Sequence, residues 1–290
     1  MKNLFEAGRK VLLGVVHLKP LPGSPRWRKM PDLEKVIALA VRDARAYEQG
    51  GADGVFIENF WDAPFTKGHV APETLAAMAA AGRAIREAVD IPIGFNVLRN
   101  DALAGLALCT ACGGSYIRVN VHTGAMLTDQ GIIEGNAYET LRCRTRLCPE
   151  VLIFGDVHVK HAVPLGSWAI EDSARDTVER GLADALIVSG VGTGLATDVK
   201  DVERVRQACP TARILIGSGT TAANAGDYLR FADSCIVGSS LKKNGDVANP
   251  VDPRRVAALA QVLAKATRTT PARSLGRGKS VSGTKAKARL

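Results

Sequence analysis

Residues 185–219 read ALIVSGVGTGLATDVKDVERVRQACPTARILIGSG, and this stretch decides the fold. It opens with a short apolar run, passes through a glycine-rich turn and a charged segment of helical period, and closes with a second apolar run and glycine-rich turn. Short runs rich in Val and Ile that alternate with amphipathic segments are typical of βα units, whose parallel strands are buried on both faces. The stretch therefore predicts one βαβ unit of a parallel sheet.

The same alternation extends through most of the chain. Eight apolar runs predict strands over residues 11–17, 54–58, 91–97, 115–121, 151–158, 185–189, 212–217 and 234–238. Each run precedes a segment of helical period, and these segments cover residues 32–49, 72–88, 102–112, 134–147, 171–180, 201–208, 221–231 and 253–266. Eight strand and helix pairs predict an α/β fold, a closed (β/α)8 TIM barrel with parallel strands. We expect one domain over residues 1–266, although length alone would suggest two.

The net charge of +9 is unevenly distributed along the 290 residues. Residues 253–290 contain ten Lys or Arg residues and no acidic residue, whereas residues 1–252 carry 28 basic and 29 acidic side chains. Because residues 267–290 also lack aromatic residues, we expect a basic, disordered C-terminal tail there. Such a tail is typical of a solvated, mobile extension, and peripheral contact with an anionic membrane surface is the alternative. It does not predict specific nucleic-acid binding, because it has no interleaved aromatic residues and no recognition fold.

The chain shows no targeting or spanning segment. No apolar run approaches the roughly 18 to 20 residues that a membrane-spanning helix needs, and the N-terminus lacks the pattern of a signal peptide. Six cysteines without an export signal are typical of reduced thiols. We therefore expect a cytoplasmic protein, with peripheral membrane contact through the tail as an alternative. Nothing in the sequence identifies a subunit interface, so the question of a homo-oligomer stays open.

The active site of a (β/α)8 barrel forms at the carboxyl ends of its strands. The first three predicted strands end in polar residues, which are His17, Glu58, Asn59, Asn96, Arg99 and Asn100. We predict a catalytic role for Glu58 and substrate binding for the other five.

The fourth and fifth predicted strands end in polar residues that alternate with apolar ones. They are Arg118, Asn120 and His122 in IRVNVHTG (117–124), and Asp156, His158 and Lys160 in GDVHVKHA (155–162). The period of two predicts that each trio shares one face of its strand. Burying six polar groups is costly unless they pair with one another or with a ligand. An internal ion-pair network would also satisfy them, but it adds little stability over apolar packing, so we predict a functional site.

Several roles fit these residues. Lys160 could act as a base or a Schiff-base amine, or Asp156 could keep it protonated as an anion clamp. His122 and His158 could serve as acid and base, and Arg118 and Asn120 could orient substrate hydroxyls. With Asp156 or Glu58, the histidines could instead ligate a divalent metal, although no paired ligand spacing favours this and no other cofactor is identified.

Glycine-rich turns follow the last three predicted strands. Their candidate phosphate-binding residues are Gly190, Gly192, Gly217, Ser218, Gly219, Gly238 and Ser239. Glycine lets backbone N–H groups approach an oxyanion, and barrels commonly hold a phosphate after strands 7 and 8. The turns therefore predict a phosphorylated small molecule as the ligand. Ordinary tight turns are the alternative.

Many of these stretches resemble the BtpA/SgcQ family. They are GVVHLKPLPGSP (14–25), GADGVFIENFWDAPF (51–65), NVLRNDA (96–102), YIRVNVHTGAMLTDQGIIEG (116–135), DVHVKHAVPL (156–165), DTVERGLADALIVSG (176–190), LIGSGTT (215–221) and IVGSSLKKNGDVANPVDPRRV (236–256). The resemblance runs in collinear order from about residue 10 to residue 262.

The resemblance implies a phosphate-binding (β/α)8 barrel. The family takes its name from a member implicated in photosystem I biogenesis at the thylakoid membrane, and relatives in sugar-utilisation contexts have been proposed to be nucleosidases. Together with the predicted site, this points to an enzyme that acts on a phosphorylated sugar or nucleoside-like molecule by acid/base chemistry of the nucleosidase, aldolase or isomerase type. The alternative is a non-catalytic assembly factor for a membrane complex of the photosystem I type.

Overall fold

A computed structural model, which describes residue 4, residues 8–190 and residues 192–269, confirms the predicted barrel. Eight parallel strands close on themselves, and the first strand completes the ring by pairing with both the second strand and the last. In order around the barrel, the strands are β1 (Val11–His17), β2 (Gly54–Glu58), β3 (Ile93–Asn96), β4 (Tyr116–Val119), β7 (Leu152–Val157), β9 (Ala185–Val188), β10 (Ile214–Ile216) and β11 (Ser234–Val237).

The helices of the described chain pack outside this ring. They are α1 (Leu33–Gln49), α2 (Pro72–Ala88), α3 (Ala102–Cys112), α4 (Ala137–Leu147), α5 (Ile170–Arg175), α6 (Val199–Ala208), α7 (Ala225–Leu229) and α8 (Pro253–Thr269). Helix α5 continues as a π-helical turn over Asp176–Arg180. Local capping explains several helix starts, since the side chains of Asp32, Asp101 and Asp198 accept hydrogen bonds from backbone amides in the first turn.

A three-stranded antiparallel sheet stands beside the barrel, and the sequence analysis did not predict it. Its strands are β5 (Ala125–Thr128), β6 (Gly131–Glu134) and β8 (Ala162–Pro164), with β5 in the middle. We call this sheet the flap. Its inner face packs Met126 and Ile133 against Val121 and Val159, which lie just beyond the ends of β4 and β7. These strands were missed because each is only three or four residues long and they come from two separate loops.

The inside of the barrel changes from apolar to polar along the strand direction. Phe56, Tyr116 and Phe154 fill its lower part, and the Tyr116 ring stacks on Phe154 at a centroid distance of 5.4 Å. Gly94 on β3 makes room for this stack, because a Cβ there would lie 2.0 Å from the Tyr116 ring. Because inward side chains recur every second residue along a strand, the next inward residue after each of these aromatic residues lies two positions later in the sequence. These later residues lie at the carboxyl end of the barrel, which we call the mouth.

Within the part of the chain that the structure describes, no helix is long and apolar enough to cross a membrane. Helix α8 begins where predicted and extends to Thr269. The predicted start of the disordered tail at residue 267 is therefore wrong, because residues 267–269 continue the helix, and residues 270–290 lie outside the described residues.

Candidate active site

Inward positions at the carboxyl ends of the eight barrel strands form the mouth. The first five strands of the ring supply large polar side chains, and the last three supply a serine and two glycines. In strand order the positions are His17, Glu58, Asn96, Arg118, Asp156, Ser189, Gly217 and Gly238. Each comes two residues after an inward position that precedes it on the same strand, as the period of a strand requires. One side of the mouth is therefore lined by polar and charged side chains, and the other side exposes backbone groups that no large side chain covers.

Arg118 and Asp156 form a bidentate ion pair at the centre of the mouth. The Arg118 Nε and Nη2 atoms each donate a hydrogen bond of 2.8 Å to the Asp156 carboxylate. Asn120 Nδ2 donates to the same carboxylate at 2.9 Å, and the Ser189 hydroxyl donates to it at 3.2 Å. Burial alone would lower the pKa of Arg118, but the adjacent Asp156 carboxylate more than offsets burial and raises it. Asp156 thus has its acceptor capacity largely used within the protein.

Glu58 lies beside this pair. Its carboxylate accepts a hydrogen bond of 2.6 Å from Asn96 Nδ2, and both side chains are buried. The bond fixes one carboxylate oxygen and leaves the other, Oε1, without a hydrogen bond from a described residue. A buried carboxylate with a free oxygen at a cavity wall can accept or donate a proton.

Lys160 reaches the mouth from the turn between β7 and β8. Arg99 Nη2 donates a hydrogen bond of 2.6 Å to the Lys160 carbonyl oxygen and so fixes the backbone of this turn. Burial lowers the pKa of Lys160, and the Arg118 cation lowers it further, against the opposing effect of Glu58. The Lys160 amine is therefore more easily deprotonated than an ordinary lysine side chain.

The glycine side of the mouth lines a cavity of about 280 Å³. Backbone and hydroxyl groups of residues 217–221 and 238–240 form one wall, and Glu58, Arg118 and Lys160 form the other. A Cβ at Gly217 would lie 2.4 Å from Ser189 Oγ and 3.3 Å from Arg118 Nη2, so this glycine keeps the cavity open towards the charged groups. The structure thus brings most of the predicted phosphate-binding turn residues together with predicted catalytic residues.

His17 lines the same cavity and lies next to Gly238. A Cβ at Gly238 would lie 2.6 Å from His17 Cε1, and the imidazole packs against the Phe60 ring at a centroid distance of 4.5 Å. Burial lowers the pKa of His17 well below its ordinary value, and the nearby Lys242 and Lys160 cations lower it further. The imidazole is therefore neutral near pH 7, and its buried Nδ1 atom has no hydrogen-bond partner among the described residues.

A second cavity, of about 630 Å³, adjoins the first and shares Glu58, Lys160 and Thr193 with it. Its walls are mainly aromatic and cationic, and they include Phe60, Trp61, Phe65, Arg26 and Arg99. Two buried polar atoms next to this cavity, Arg99 Nε and Asn120 Oδ1, have no partner among the described residues. The two cavities together can hold a ligand larger than a phosphate ion.

His122 and His158 lie away from the mouth, contrary to the expectation that they share a face with Arg118 and Asp156. The His122 Nε2 atom donates a hydrogen bond of 2.7 Å to the Gly181 carbonyl oxygen, behind the barrel wall. His158 Nε2 lies 3.0 Å from Ser173 Oγ on α5. The alternation fails because β4 ends at residue 119 and β7 at residue 157, and because His158 itself has a φ of +50°. Burial lowers the pKa of both histidines.

Two predicted substrate-binding residues hold loops in place. Asn59 accepts a hydrogen bond of 2.8 Å from the Leu98 amide. Asn100 donates to the Val121 carbonyl oxygen at 2.9 Å and accepts from its amide at 2.8 Å. Both amide groups are thus occupied by backbone partners.

The turn after β9, the sixth barrel strand, is held by hydrogen bonds within the protein. The Gly190 amide donates to Ser218 Oγ at 3.1 Å, and that hydroxyl donates to the Leu195 carbonyl oxygen at 2.9 Å. Gly192 lies against His161 and Leu195, outside the smaller cavity. Neither Gly190 nor Gly192 lines that cavity, whereas Thr193 and Gly194 of the same turn do.

Sequence reasoning missed three residues at the mouth. Ser189 bonds to Asp156, Asp129 enters the larger cavity from the loop between β5 and β6, and Arg26 enters it from the loop after β1. Ser189 is the last residue of the predicted strand 185–189, and the period of two along that strand places it on the same face as Ile187, so it could have been identified from the sequence pattern. Asp129 could not, because its position depends on the flap. Within the described residues, no group of three or more His, Cys, Asp or Glu side chains is arranged to hold a metal ion.

Comparisons with known proteins agree with this architecture. Residues 8–265 match the sequence profile of the BtpA family. The chain is 44% identical over 263 residues to the photosystem I biogenesis protein BtpA of Synechocystis, with 91% of each chain covered. It is 36% identical over 249 residues to the sgc region protein SgcQ of Escherichia coli, covering 85% of this chain and 91% of the relative.

Solved structures share the fold at low sequence identity. Phosphoribosyl anthranilate isomerase from Thermus thermophilus superposes with a TM-score of 0.53 at 15% identity, covering 88% of this chain and 98% of that one. At this identity the likeness establishes the barrel fold only.

Proposed function

This chain belongs to the BtpA family, and from that premise we propose that its barrel mouth is the active site of an enzyme that acts on a phosphorylated sugar or nucleoside-like molecule by acid/base chemistry. The reaction would be of the nucleosidase, aldolase or isomerase type. The observation that carries the proposal is the cavity that has glycine backbone on one wall and Glu58, Arg118 and Lys160 on the other.

The two walls have complementary tasks. A bound phosphate needs hydrogen-bond donors that no bulky side chain shields from it. Backbone amides and hydroxyl groups around Gly217, Gly219 and Gly238 can supply such donors. The Arg118 guanidinium on the other wall adds positive charge where a phosphate monoester is negative. An anion held at the glycine wall would place the rest of the molecule towards Glu58, Lys160 and the larger cavity.

Glu58 and Lys160 are the proposed acid/base groups. Both border the two cavities, so both can contact the reacting part of a ligand whose phosphate is bound at the glycines. Arg118 and Asn120 would position Asp156, since that carboxylate already accepts hydrogen bonds from both. His122 and His158 line neither of these two cavities, and their Nε2 atoms contact Gly181 and Ser173 instead, so neither histidine has a role in this proposal.

Ligand stabilisation tests the phosphate site. We expect inorganic phosphate and D-ribose 5-phosphate to raise the melting temperature of the full chain, and D-ribose to have little effect. A site-specific ligand at 100 times its Kd would add about 2.7 kcal/mol to the free energy of unfolding. If no phosphorylated compound stabilises the protein, the proposal fails.

A variant at the glycine wall locates the effect. Gly238→Ala would place a methyl group 2.6 Å from the His17 ring and should abolish the stabilisation by phosphate. Gly226→Ala is the matched control, because a Cβ there has no neighbour within 4 Å. Phosphate should stabilise the control variant as much as the parent.

An assembly role is a second candidate, favoured by the outer face of the flap. Leu127 pairs with Ile132 on one side and Val163 on the other, and all three side chains are exposed at 44 to 57%. The name of the Synechocystis relative attributes photosystem I biogenesis to that protein. Complementation of a Synechocystis strain that lacks this relative separates the two roles. If Lys160→Arg rescues the strain and the Leu127→Ser, Val163→Ser double variant does not, the assembly role is favoured. If the double variant rescues the strain and Lys160→Arg does not, the enzymatic role is favoured.

A further inference from the structure

We propose that Lys160 forms a covalent imine with the carbonyl carbon of its substrate, so that the ligand is a phosphorylated aldose or ketose in its open-chain form. The inference rests on the proposed function, which places the phosphate at the glycine wall, and it adds the identity of the reacting group. It also excludes substrates that cannot expose a carbonyl group at the mouth.

Lys160 lies where the two cavities of the mouth meet. This side chain lines both the 280 Å³ cavity and the 630 Å³ cavity, as do Glu58 and Thr193. A molecule whose phosphate lies at Gly217 and Gly238 must pass Lys160 to enter the larger cavity. The Arg99 hydrogen bond to its carbonyl oxygen holds the backbone of Lys160 at this junction.

The Lys160 amine is not held in a direct ion pair, although the Glu58 and Asp156 carboxylates lie near enough to raise its pKa. Among the described residues, no hydrogen bond or ion pair engages its Nζ atom. Asp156 is paired with Arg118, and the Glu58 carboxylate accepts its hydrogen bond from Asn96. Lys242 offers a contrast within the same protein, because its buried Nζ lies 3.0 Å from the Asp43 carboxylate. A lysine kept for its charge is paired in this way, and Lys160 is not.

The surroundings of Lys160 also favour its neutral form. Burial lowers the pKa of the amine most, and the permanent cations of Arg118 and Arg99 lower it further, against the opposing effects of the Glu58 and Asp156 carboxylates. Only a neutral amine has the electron pair that attacks a carbonyl carbon. The neighbouring cations also suit a phosphorylated substrate, whose charge they offset.

The chemical step balances with the groups present. Glu58 takes a proton from the Lys160 ammonium, and the freed Nζ electron pair forms a bond to the carbonyl carbon. A proton then moves from Nζ to the former carbonyl oxygen, which gives a neutral carbinolamine. Glu58 returns its proton to that hydroxyl group, the C–O bond breaks and water leaves. The product is a protonated imine, and Glu58 ends as the carboxylate it was at the start.

Borohydride trapping tests this step. Sodium borohydride reduces an imine to a stable secondary amine, so the full chain incubated with D-ribose 5-phosphate should gain one sugar phosphate less one oxygen atom. Intact-mass measurement detects the adduct, and peptide mapping locates it. We expect the adduct at Lys160 in the parent and in the exposed-surface control Lys200→Arg, and its loss in Lys160→Arg. Ribitol 5-phosphate, which has no carbonyl group, should bind without forming an adduct.

The outcomes separate this inference from the proposed function. If inorganic phosphate and ribitol 5-phosphate stabilise the protein but no adduct maps to Lys160, Lys160 is an anion clamp and the imine proposal is overturned, whereas the phosphate site stands. An adduct only at other lysines overturns it in the same way. An adduct at Lys160 with D-glyceraldehyde as well, in a protein that phosphate does not stabilise, supports the imine and removes the phosphate site. If Lys160→Arg fails to fold, Glu58→Gln provides a second test of the same step. It keeps Lys160 but removes the proton carrier, so it should reduce the rate of trapping at least tenfold.

Discussion

Arg118 and Asp156 are joined across β4 and β7 by two parallel hydrogen bonds of 2.8 Å, with side-chain exposures of 3% and 0%. Removing two charges from water costs several kcal/mol per ion, and the cost is offset only when the hydrogen-bonding capacity of both groups is used. Asn120 and Ser189 complete the acceptor side of this pair. The pair thereby fixes the ends of three neighbouring strands around the candidate site.

Replacing Asp156 should therefore reduce stability sharply. Asp156→Asn preserves the shape of the side chain but leaves the Arg118 guanidinium buried without a counterion. We expect a loss of about 3 to 5 kcal/mol in the free energy of unfolding, measured by urea denaturation. Asp172→Asn is the control, because its pair with Arg175 is exposed and should contribute less than about 1 kcal/mol. Equal losses in the two variants would contradict a structural role for the buried pair.

Gly217 should tolerate no side chain. In Gly217→Ala the new Cβ would lie 2.4 Å from Ser189 Oγ and 2.6 Å from Ile187 Cγ2, so the carboxyl end of the neighbouring strand β9, where both residues lie, must shift. We expect a loss of about 1 to 3 kcal/mol in the free energy of unfolding, as for overpacked cores, together with weaker phosphate binding. Thermal melts with and without phosphate measure both effects. A fully stable variant that binds phosphate normally would show that the glycine wall is not a close-fitting surface.

Most of the barrel could be predicted because its strands follow simple periods. The bounds of β1 and β2 are as predicted, and the inward positions on β2, β4 and β7 follow the period of two. Arg118, Asn120 and Asp156 come together for the same reason. Because the barrel closes in chain order, adjacent strand ends meet without any further information.

The positions of His122, His158 and the flap could not be predicted in this way. His122 lies beyond the end of β4, where the chain turns and the period of two no longer applies. His158 adopts a positive φ that its sequence does not indicate. The flap forms from loops that are far apart in sequence, and its inner face depends on contacts such as Met126 with Val121. Tertiary packing, rather than local pattern, decides all three.

Acid should destabilise the protein through its buried histidines. Burial lowers the pKa of His122, so below pH 6.5 the unfolded chain binds a proton that the folded chain does not. Stability contributed by the neutral ring is therefore present above pH 6.5 and is lost as the pH falls through this range towards the lowered pKa. The slope can reach about 1.4 kcal/mol per pH unit for one histidine.

The variant His122→Asn should show a shallower slope. Urea denaturation at intervals from pH 7 to pH 5 measures the free energy of unfolding of the variant and the parent. Buried His17, whose pKa is also lowered, should maintain part of the slope in both proteins. A variant whose stability falls as steeply as that of the parent would show that His122 does not contribute.

Removing the charge of Glu58 should move the pH profile of Lys160 in a defined direction. The Glu58 carboxylate raises the pKa of Lys160 against burial and the Arg118 cation, so Glu58→Gln should lower that pKa further. The rate of borohydride trapping with D-ribose 5-phosphate should then reach half its plateau at a lower pH than in the parent. Its plateau should also fall, because an amide cannot carry the proton to the departing hydroxyl group.

Glu87→Gln, which removes a carboxylate from an exposed pair with Arg83, should leave both midpoint and plateau unchanged. A midpoint that stays in place or rises in Glu58→Gln would mean that Glu58 and Lys160 do not act on the same ligand.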